Sequence, residues 1–286
     1  MKTVTVQQFF EMFPDDDACL AHLMAVRYGE TVTCPKCSKT GKFARLSKVL
    51  AYSCPSCGHH IHPMMGTPFA KSHMALQKWF YAMYLFTTSR HGVPAKELER
   101  QLGVSYPTAW RIGHEIRKYL AKVDGDRPLG GHVEIDETWV GGYRKGKPGR
   151  AAMKMKSVVF GMVQRGGDII SRVVPDDRKA TLLPHIHAHV QKDAMVSTDE
   201  HPAYRSLAKE GYEGHGTVNH GRDMWVNGPY HTNTLESFWS RLKNSIRGTH
   251  VHVSAKHLGK YLGEFEFRYN MRKMPGVMFD RLLMSF

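Results

Sequence analysis

Only five cysteines occur in the 286 residues. That is too few for a disulfide framework in so long a chain, so their spacing is read as metal chemistry or burial in a reducing compartment. Long apolar runs are also missing. The longest, Trp79 to Phe86, has eight residues, against about 18 to 20 for a bilayer span, which excludes a transmembrane helix. The N-terminus runs from Met1-Lys2-Thr3-Val4 through Phe9-Phe10 to Asp15-Asp16-Asp17. It lacks the apolar core and small-residue cleavage site of a signal peptide, and the chain is expected in the cytoplasm. Acids are in the minority: 26 Asp+Glu against 40 Lys+Arg leave a net charge of +14, with 18 His and a pI near 9.6. A surface so basic attracts polyanions, nucleic acid first among them. There is no internal repeat and no low-complexity tract. With 42% hydrophobic and 10% aromatic residues, the chain has material for about two domains and room for a small third.

Along the chain, residues 1 to about 30 read as one short amphipathic helical unit. Residues 31–66 hold four of the five cysteines in a Gly, Ser, Lys and Pro setting typical of a small β module. Leu76, Trp79, Phe80, Met83, Tyr84 and Phe86 recur at helical spacing and predict a core helix over 74–90. Two further helical patterns meet at Gly103, and the Asp124-Gly125-Asp126, Pro128 and Gly130-Gly131 breaks mark a domain boundary. Beyond it the texture turns to strands. His132 to Val140 alternates, Val158–Gln164 and Ile169–Val174 flank a Gly166-Gly167-Asp168 turn, and helix 180–190, strand 195–199 and helix 202–210 follow. The C-terminal helical region comes after an irregular stretch. The order βββαβα plus a late helix predicts an α/β, ribonuclease H-like domain, a mixed sheet flanked by helices. The domains are drawn as 1–66 (helical segment and zinc ribbon), 67–125 (helix-turn-helix) and 130–286 (ribonuclease H-like).

Cys34-Pro35-Lys36-Cys37 and Cys54-Pro55-Ser56-Cys57 form two CxxC pairs sixteen residues apart. Each tight knuckle presents two sulfurs, and four thiolates satisfy tetrahedral Zn²⁺, so Cys34, Cys37, Cys54 and Cys57 are assigned to structural zinc. Cys19 reads as a small core residue. His59, His60 and His62 read as surface groups, since four Cys suffice. Zinc ribbons bind nucleic acid or protein, and the sequence does not choose between them.

Residues 94–111 have the features of a helix-turn-helix: a first helix ended by Gly103, an apolar Val104 in the turn, and Ser105 able to cap the second helix. Tyr106, Thr108 and Arg111 would then face base edges, and Arg117 and Lys118 would reach phosphates. A plain three-helix bundle, with Trp110 and Ile112 as core, fits the same pattern.

Three acids stand out in the strand-rich half. Asp136 sits at the end of the Val133-Glu134-Ile135 strand, Asp199 follows the Met195–Thr198 strand with 62 residues between the two acids, and Glu236 lies in a helical run with 36 residues between it and Asp199. Carboxylates so placed can converge on a pair of Mg²⁺ or Mn²⁺ ions, hard cations that prefer oxygen ligands and promote in-line phosphoryl transfer. Lys243 follows Glu236 by seven residues, two helical turns on, so the two share a face and a cation there can hold phosphate. Asn233, one turn earlier, offers the ions a further polar group, and His231 is a phosphate contact. Arg241 and Arg247 extend the basic character. Glu134 and Glu137 are substitutes ranked below the trio. The segment 139–156 carries six Lys and Arg and no acid, which suits either a basic arm over DNA or a solvated loop.

Together, Ile135-Asp136-Glu137-Thr138-Trp139-Val140-Gly141-Gly142, Ser197-Thr198-Asp199, His231-Thr232-Asn233-Thr234-Leu235-Glu236-Ser237-Phe238-Trp239-Ser240-Arg241-Leu242-Lys243 and Glu264-Phe265-Glu266-Phe267-Arg268-Tyr269-Asn270 resemble the catalytic domain of insertion-sequence transposases of the ISXO type. The ribbon followed by Phe69-Ala70-Lys71 and Trp79-Phe80 resembles their zinc module. The likeness covers nearly the whole chain. It implies a DDE enzyme that cuts element ends and joins their 3′-hydroxyls to target DNA, acting as a homo-oligomer on paired inverted repeats. By that resemblance Asp136 and Asp199 are metal ligands. The third position falls on Glu236, with Asn233 as the alternative. Two other readings of the same residues stay open: a zinc-ribbon and helix-turn-helix transcription regulator, and a ribonuclease H-type nuclease that cuts without joining.

Overall fold

The computed structural model describes residues 3–123, 125–141 and 156–285. It divides into two compact units, Met1–Tyr119 with Met274–Phe286, and Leu120–Lys273. Among the described residues no helix is long and apolar enough to cross a membrane.

The first unit begins with two helices where the sequence reading expected one. In α1 (Val6–Met12) the Thr5 hydroxyl accepts from the Gln8 N–H at 3.2 Å while the Gln8 side chain accepts from the Thr5 N–H at 2.9 Å, a reciprocal cap. The chain breaks at Phe13-Pro14, and the acidic run starts α2 (Asp16–Tyr28), with the Asp15 carboxylate accepting from the Ala18 N–H at 2.8 Å. The Asp run is therefore a helix start. Five two-residue strands build the ribbon: β1 (Val32–Thr33), β2 (Thr40–Gly41), β3 (Ala44–Arg45), β4 (Tyr52–Ser53) and β5 (His60–Ile61). Helices α3 (Leu76–Thr88), α4 (Ala95–Leu102) and α5 (Tyr106–Val123) follow. Glycine at 103, with φ +59°, closes α4 in the left-handed conformation that a β-carbon disfavours.

In the second unit, β6 (His132–Val140), β7 (Ser157–Gln164), β8 (Ile169–Val174), β9 (Met195–Thr198) and β10 (Gly214–Thr217) form one sheet in the order β10-β9-β6-β7-β8. The β6-β7-β8 pairs are antiparallel, while β9 and β10 run parallel to β6. The Gly166 turn joins β7 to β8 as the spacing predicts. The segment 202–210 forms two short 3₁₀ turns, Pro202–Tyr204 and Leu207–Lys209, in place of the expected helix. Strand β10 has no sequence signal, because Gly-His-Gly-Thr lacks β-branched alternation until its last residue.

Both faces of the sheet are covered, giving the mixed α/β architecture expected. On one, Val133, Ile135, Phe160, Met162 and Ile170 pack with Leu182, Leu183 and Ile186 of α6 (Lys179–His189). On the other, Val159, Val163 and Ile169 pack with Leu235, Phe238, Trp239 and Leu242 of α7 (Asn233–Ser245) and with Leu258, Leu262 and Phe265 of α8 (Ala255–Asn270). The last helix, α9 (Met278–Leu283), belongs to the first unit although the sequence reading ran the second domain to residue 286. Phe279 of α9 lies 5.8 Å from both Phe9 and Tyr84, ring to ring, and burial of these rings explains the grouping.

Candidate active site

The β6-β9 register pairs Glu134 with Ser197. Two residues on in each parallel strand direction come Asp136, inside β6, and Asp199, just past the end of β9, so the two acids lie side by side. Alternation sends Asp136 to the α7 face, where Trp239 donates its indole N–H to Oδ2 at 2.9 Å. Residue 161, directly opposite Asp136 on β7, is glycine. A β-carbon there would stand 2.6 Å from the Trp239 ring, so Gly161 makes the room in which the indole reaches the carboxylate. Burial first, then the charges of Glu137 and Asp199, pushes the Asp136 carboxyl up to about 8. Burial likewise raises Asp199, whose Oδ1 accepts from the His201 N–H at 2.9 Å. Asp136 and Asp199, both half-buried and within electrostatic reach of one another, offer carboxylate oxygens, the donor type hard divalent cations prefer; among the described residues their ligand atoms and those of Glu236 do not gather into one cluster of three.

The helix supplying the rest of the site is docked by a residue the sequence reading ranked low. Glu134 is fully buried. It accepts from the Thr234 N–H at 2.8 Å, the Leu235 N–H at 3.1 Å and the Thr234 hydroxyl at 2.8 Å. These are the open donors of the α7 N-terminus, which a carboxylate satisfies well. Arg165 closes the arrangement: its Nε donates to Glu134 at 2.7 Å, and its other nitrogens donate to the carbonyls of Pro229 at 2.6 Å and His231 at 2.9 Å. His231, expected as a phosphate contact, has Nδ1 3.1 Å from Glu134. The alternation that places Glu134 beside Asp136 was visible in the sequence. The helix end above it was not.

On α7, Asn233 is exposed at the first position and Glu236 half-buried one turn on. Glu236 accepts from the Thr232 hydroxyl at 2.9 Å and lies 3.4 Å from His220 Nε2. His220 is also within electrostatic reach of Asp199. Lys243 is half-buried, its ammonium pulled below the usual lysine range by burial and held up by the charge of Asp136. On the opposite sheet face, Glu137 accepts from the Tyr204 hydroxyl. Its carboxylate, that of Asp177 and the His201 ring offer ligand atoms within 4.8 Å of one another. The basic segment 139–156 lies almost wholly outside the described residues.

In the ribbon, Cys34 and Cys57 sulfurs are 3.6 Å apart, and those of Cys37 and Cys54 are 3.8 Å apart. With zinc–sulfur bonds of about 2.3 Å, a tetrahedral site has sulfur–sulfur edges of about 3.8 Å, so the four fit structural zinc. The knuckles are matched: Ser38 N–H donates to the Cys34 carbonyl and Gly58 N–H to the Cys54 carbonyl, each at 2.9 Å, with φ +56° and +73°. Cys19 is buried, its thiol pushed up to about 12 by burial and by Asp16 and Asp15, as suits an inert core residue.

In the first turns of α5, Tyr106 and Arg111 are exposed and Thr108 is half-buried, its hydroxyl 3.0 Å from that of Ser105. Lys118 is exposed and pairs with Glu115 at 2.6 Å. Arg117 corrects the sequence reading. It is 2% exposed, donates to the Val93 carbonyl at 2.8 Å and lies over the Phe86 ring, so it holds α5 to the helical core and cannot extend to a phosphate. Trp110 departs from the bundle pattern in the other direction, being 39% exposed and stacked on His114 at 3.8 Å.

Residues 128–270 match the family model described as the ISXO2-like transposase domain, and residues 14–60 match the transposase zinc-ribbon domain. The chain belongs to the ISXO2-like transposases. A protein of the transposable element ISH50 from Halobacterium salinarum is 30% identical over 278 residues, which is 90% of this chain and 92% of that one. A transposase-like protein of Haemophilus influenzae is 33% identical over 98 residues, 34% of this chain and 77% of its own length. The matched transposase domain spans Glu134, Asp136, Asp199, Glu236 and Lys243. The ribbon match contains all four zinc-site cysteines.

Proposed function

We propose that this transposase cuts DNA at the ends of its element and joins the freed 3′-hydroxyls to target DNA on a ribonuclease H-like domain, with Asp136, Asp199 and Glu236 holding divalent cations. The observation that carries the reading is the half-buried Asp136–Asp199 pair, side by side with Asp136 inside β6 and Asp199 just past the end of the parallel β9. Bound Mg²⁺ or Mn²⁺ would supply activation of the attacking oxygen and stabilisation of the leaving one. The protein's own residues do the placing. Trp239 fixes one Asp136 oxygen and leaves the other for the ion. Lys243, one turn further on α7, neutralises a phosphate beside Asp136. Asn233 adds a polar group, and Glu134 with Arg165 sets the height of the helix against the sheet. For DNA, Tyr106, Thr108 and Arg111 read bases and Lys118 binds phosphate, while the net charge of +14 supplies the sequence-independent attraction. Two copies on paired inverted repeats complete the assembly.

The test is strand cleavage and joining on DNA carrying the flanking inverted repeats, in Mg²⁺ or Ca²⁺, with the native chain and Asp199→Ala. Mg²⁺ should support both products, and the variant should bind yet make neither. Binding without any cut by the native chain would favour a DNA-binding regulator. Cutting without joining would favour a nuclease.

A further inference from the structure

Between β10 and α7 runs a loop of two backbone-paired turns with an exposed apolar stretch where they join. At one end Asn219 and Met224 exchange backbone hydrogen bonds at 3.0 and 2.9 Å; at the other, Asn227 and Tyr230 do so at 2.9 and 3.0 Å. Tyr230 lies so close over β10 that a β-carbon on Gly216 would be 2.2 Å from its ring. The Asn227 amide donates to the Thr217 carbonyl at 3.2 Å. In the loop, Met224, Trp225 and Val226 are 42%, 51% and 52% exposed. An indole half in water on a loop tied down at both ends is not a folding requirement.

Its position is informative. The Trp225 ring is centred 4.5 Å from that of His220, whose Nε2 is 3.4 Å from Glu236. A single imidazole thus lies between the exposed indole and Glu236. The rest of this loop carries His220 and Arg222 beside Asp223, polar company that suits a polyanion's edge better than an apolar protein face.

We propose that Trp225, backed by His220, is a stacking platform for one unpaired nucleobase of the DNA strand whose phosphate lies at the Asp136–Asp199 site. Aromatic side chains accept any base this way because every base has a π face. The base must be unpaired, since in a duplex both its faces are covered. The inference rests on the proposed function, and its test separates the two. Binding of end DNA by the full chain in Ca²⁺ is compared for native, Trp225→Ala and Trp225→Phe, on a series of ends each carrying one abasic position near the cut. Trp225→Ala should weaken binding about 5- to 100-fold, and Trp225→Phe should recover most of the loss. At one abasic position native and Trp225→Ala should bind alike, because the base they differ over is gone. Equal binding of intact DNA by native and Trp225→Ala overturns the proposal, as does a loss that is the same at every abasic position. So does a DNA-free dimer that Trp225→Ala dissociates, since the loop would then be a contact between copies. A native chain that cuts and joins while showing no such coupling keeps the transposase function and loses the platform; one that neither binds nor cuts loses both.

Discussion

Burial separates Asp136 from the exposed acids of this chain, and it makes a measurable prediction. In the metal-free protein its carboxyl holds a proton up to about pH 8, whereas in the unfolded chain it ionises near its ordinary value of 3.8. Between those values the folded state binds more protons, so the Asp136 contribution makes stability fall as pH rises, with a slope of at most about 1.4 kcal/mol per pH unit. Asp136→Asn should flatten that dependence in denaturant unfolding at about pH 5.5 and 8, and Mg²⁺ should restore stability to the native chain at the higher pH. Persistence of the full slope in the variant would place the raised carboxyl elsewhere. At this scale the sequence made Asp136 and Asp199 legible because both follow β-branched strand runs. Glu134 was less so: its task depends on the helix end that the fold lays over it.

At the scale of elements, the fit of α7 against β7 decides whether Asp136 is oriented. Gly161 leaves the space that the Trp239 ring fills, and the indole N–H is what fixes the carboxylate. In Gly161→Ala the ring must move, with a stability cost of about 1 to 3 kcal/mol. The expected result is a lower melting temperature and at least about 10-fold slower strand cleavage, with end binding unchanged; cleavage at the native rate would show that Trp239 does not orient Asp136. The β7-β8 hairpin and the core helix α3 were readable from periodicity, since each carries its own apolar pattern. Strand β10 was hidden because two of its four residues are glycines, kept small by Tyr230 rather than by strand propensity. Arg117 misled for a related reason: a cation on a helix surface pattern gives no sign that Val93 and Phe86 enclose it.

For the whole molecule, the ribbon's core, Met24, Val32, Cys34, Phe43, Cys54 and Ile61, is small beside the two clusters that cover the sheet. So few apolar residues cannot order residues 31–61 without a metal. One zinc per chain is expected by elemental analysis. Chelation should unfold the ribbon, read as rapid modification of all four cysteines, while the strand signal of the sheet persists by circular dichroism. Cys37→Ser should lose the zinc. Retention of protected thiols after chelation would mean that packing alone holds the knuckles.

The sequence by itself determined the chemistry available here: four thiols at ribbon spacing, a basic surface, and acids at strand ends ahead of a helix bearing Glu236 and Lys243. Those features are local, set by ligand spacing and by alternation along one strand or helix. Only the tertiary structure decided what faces what. Asp136 becomes half-buried because α7 closes over it, and α7 sits there because Glu134 and Arg165 satisfy its open end. Phe279 joins rings almost 200 residues or more away in the chain, and Trp225 is left in water beside the site. Contacts between distant segments obey burial and hydrogen-bond satisfaction in three dimensions, and no periodicity along the chain records them.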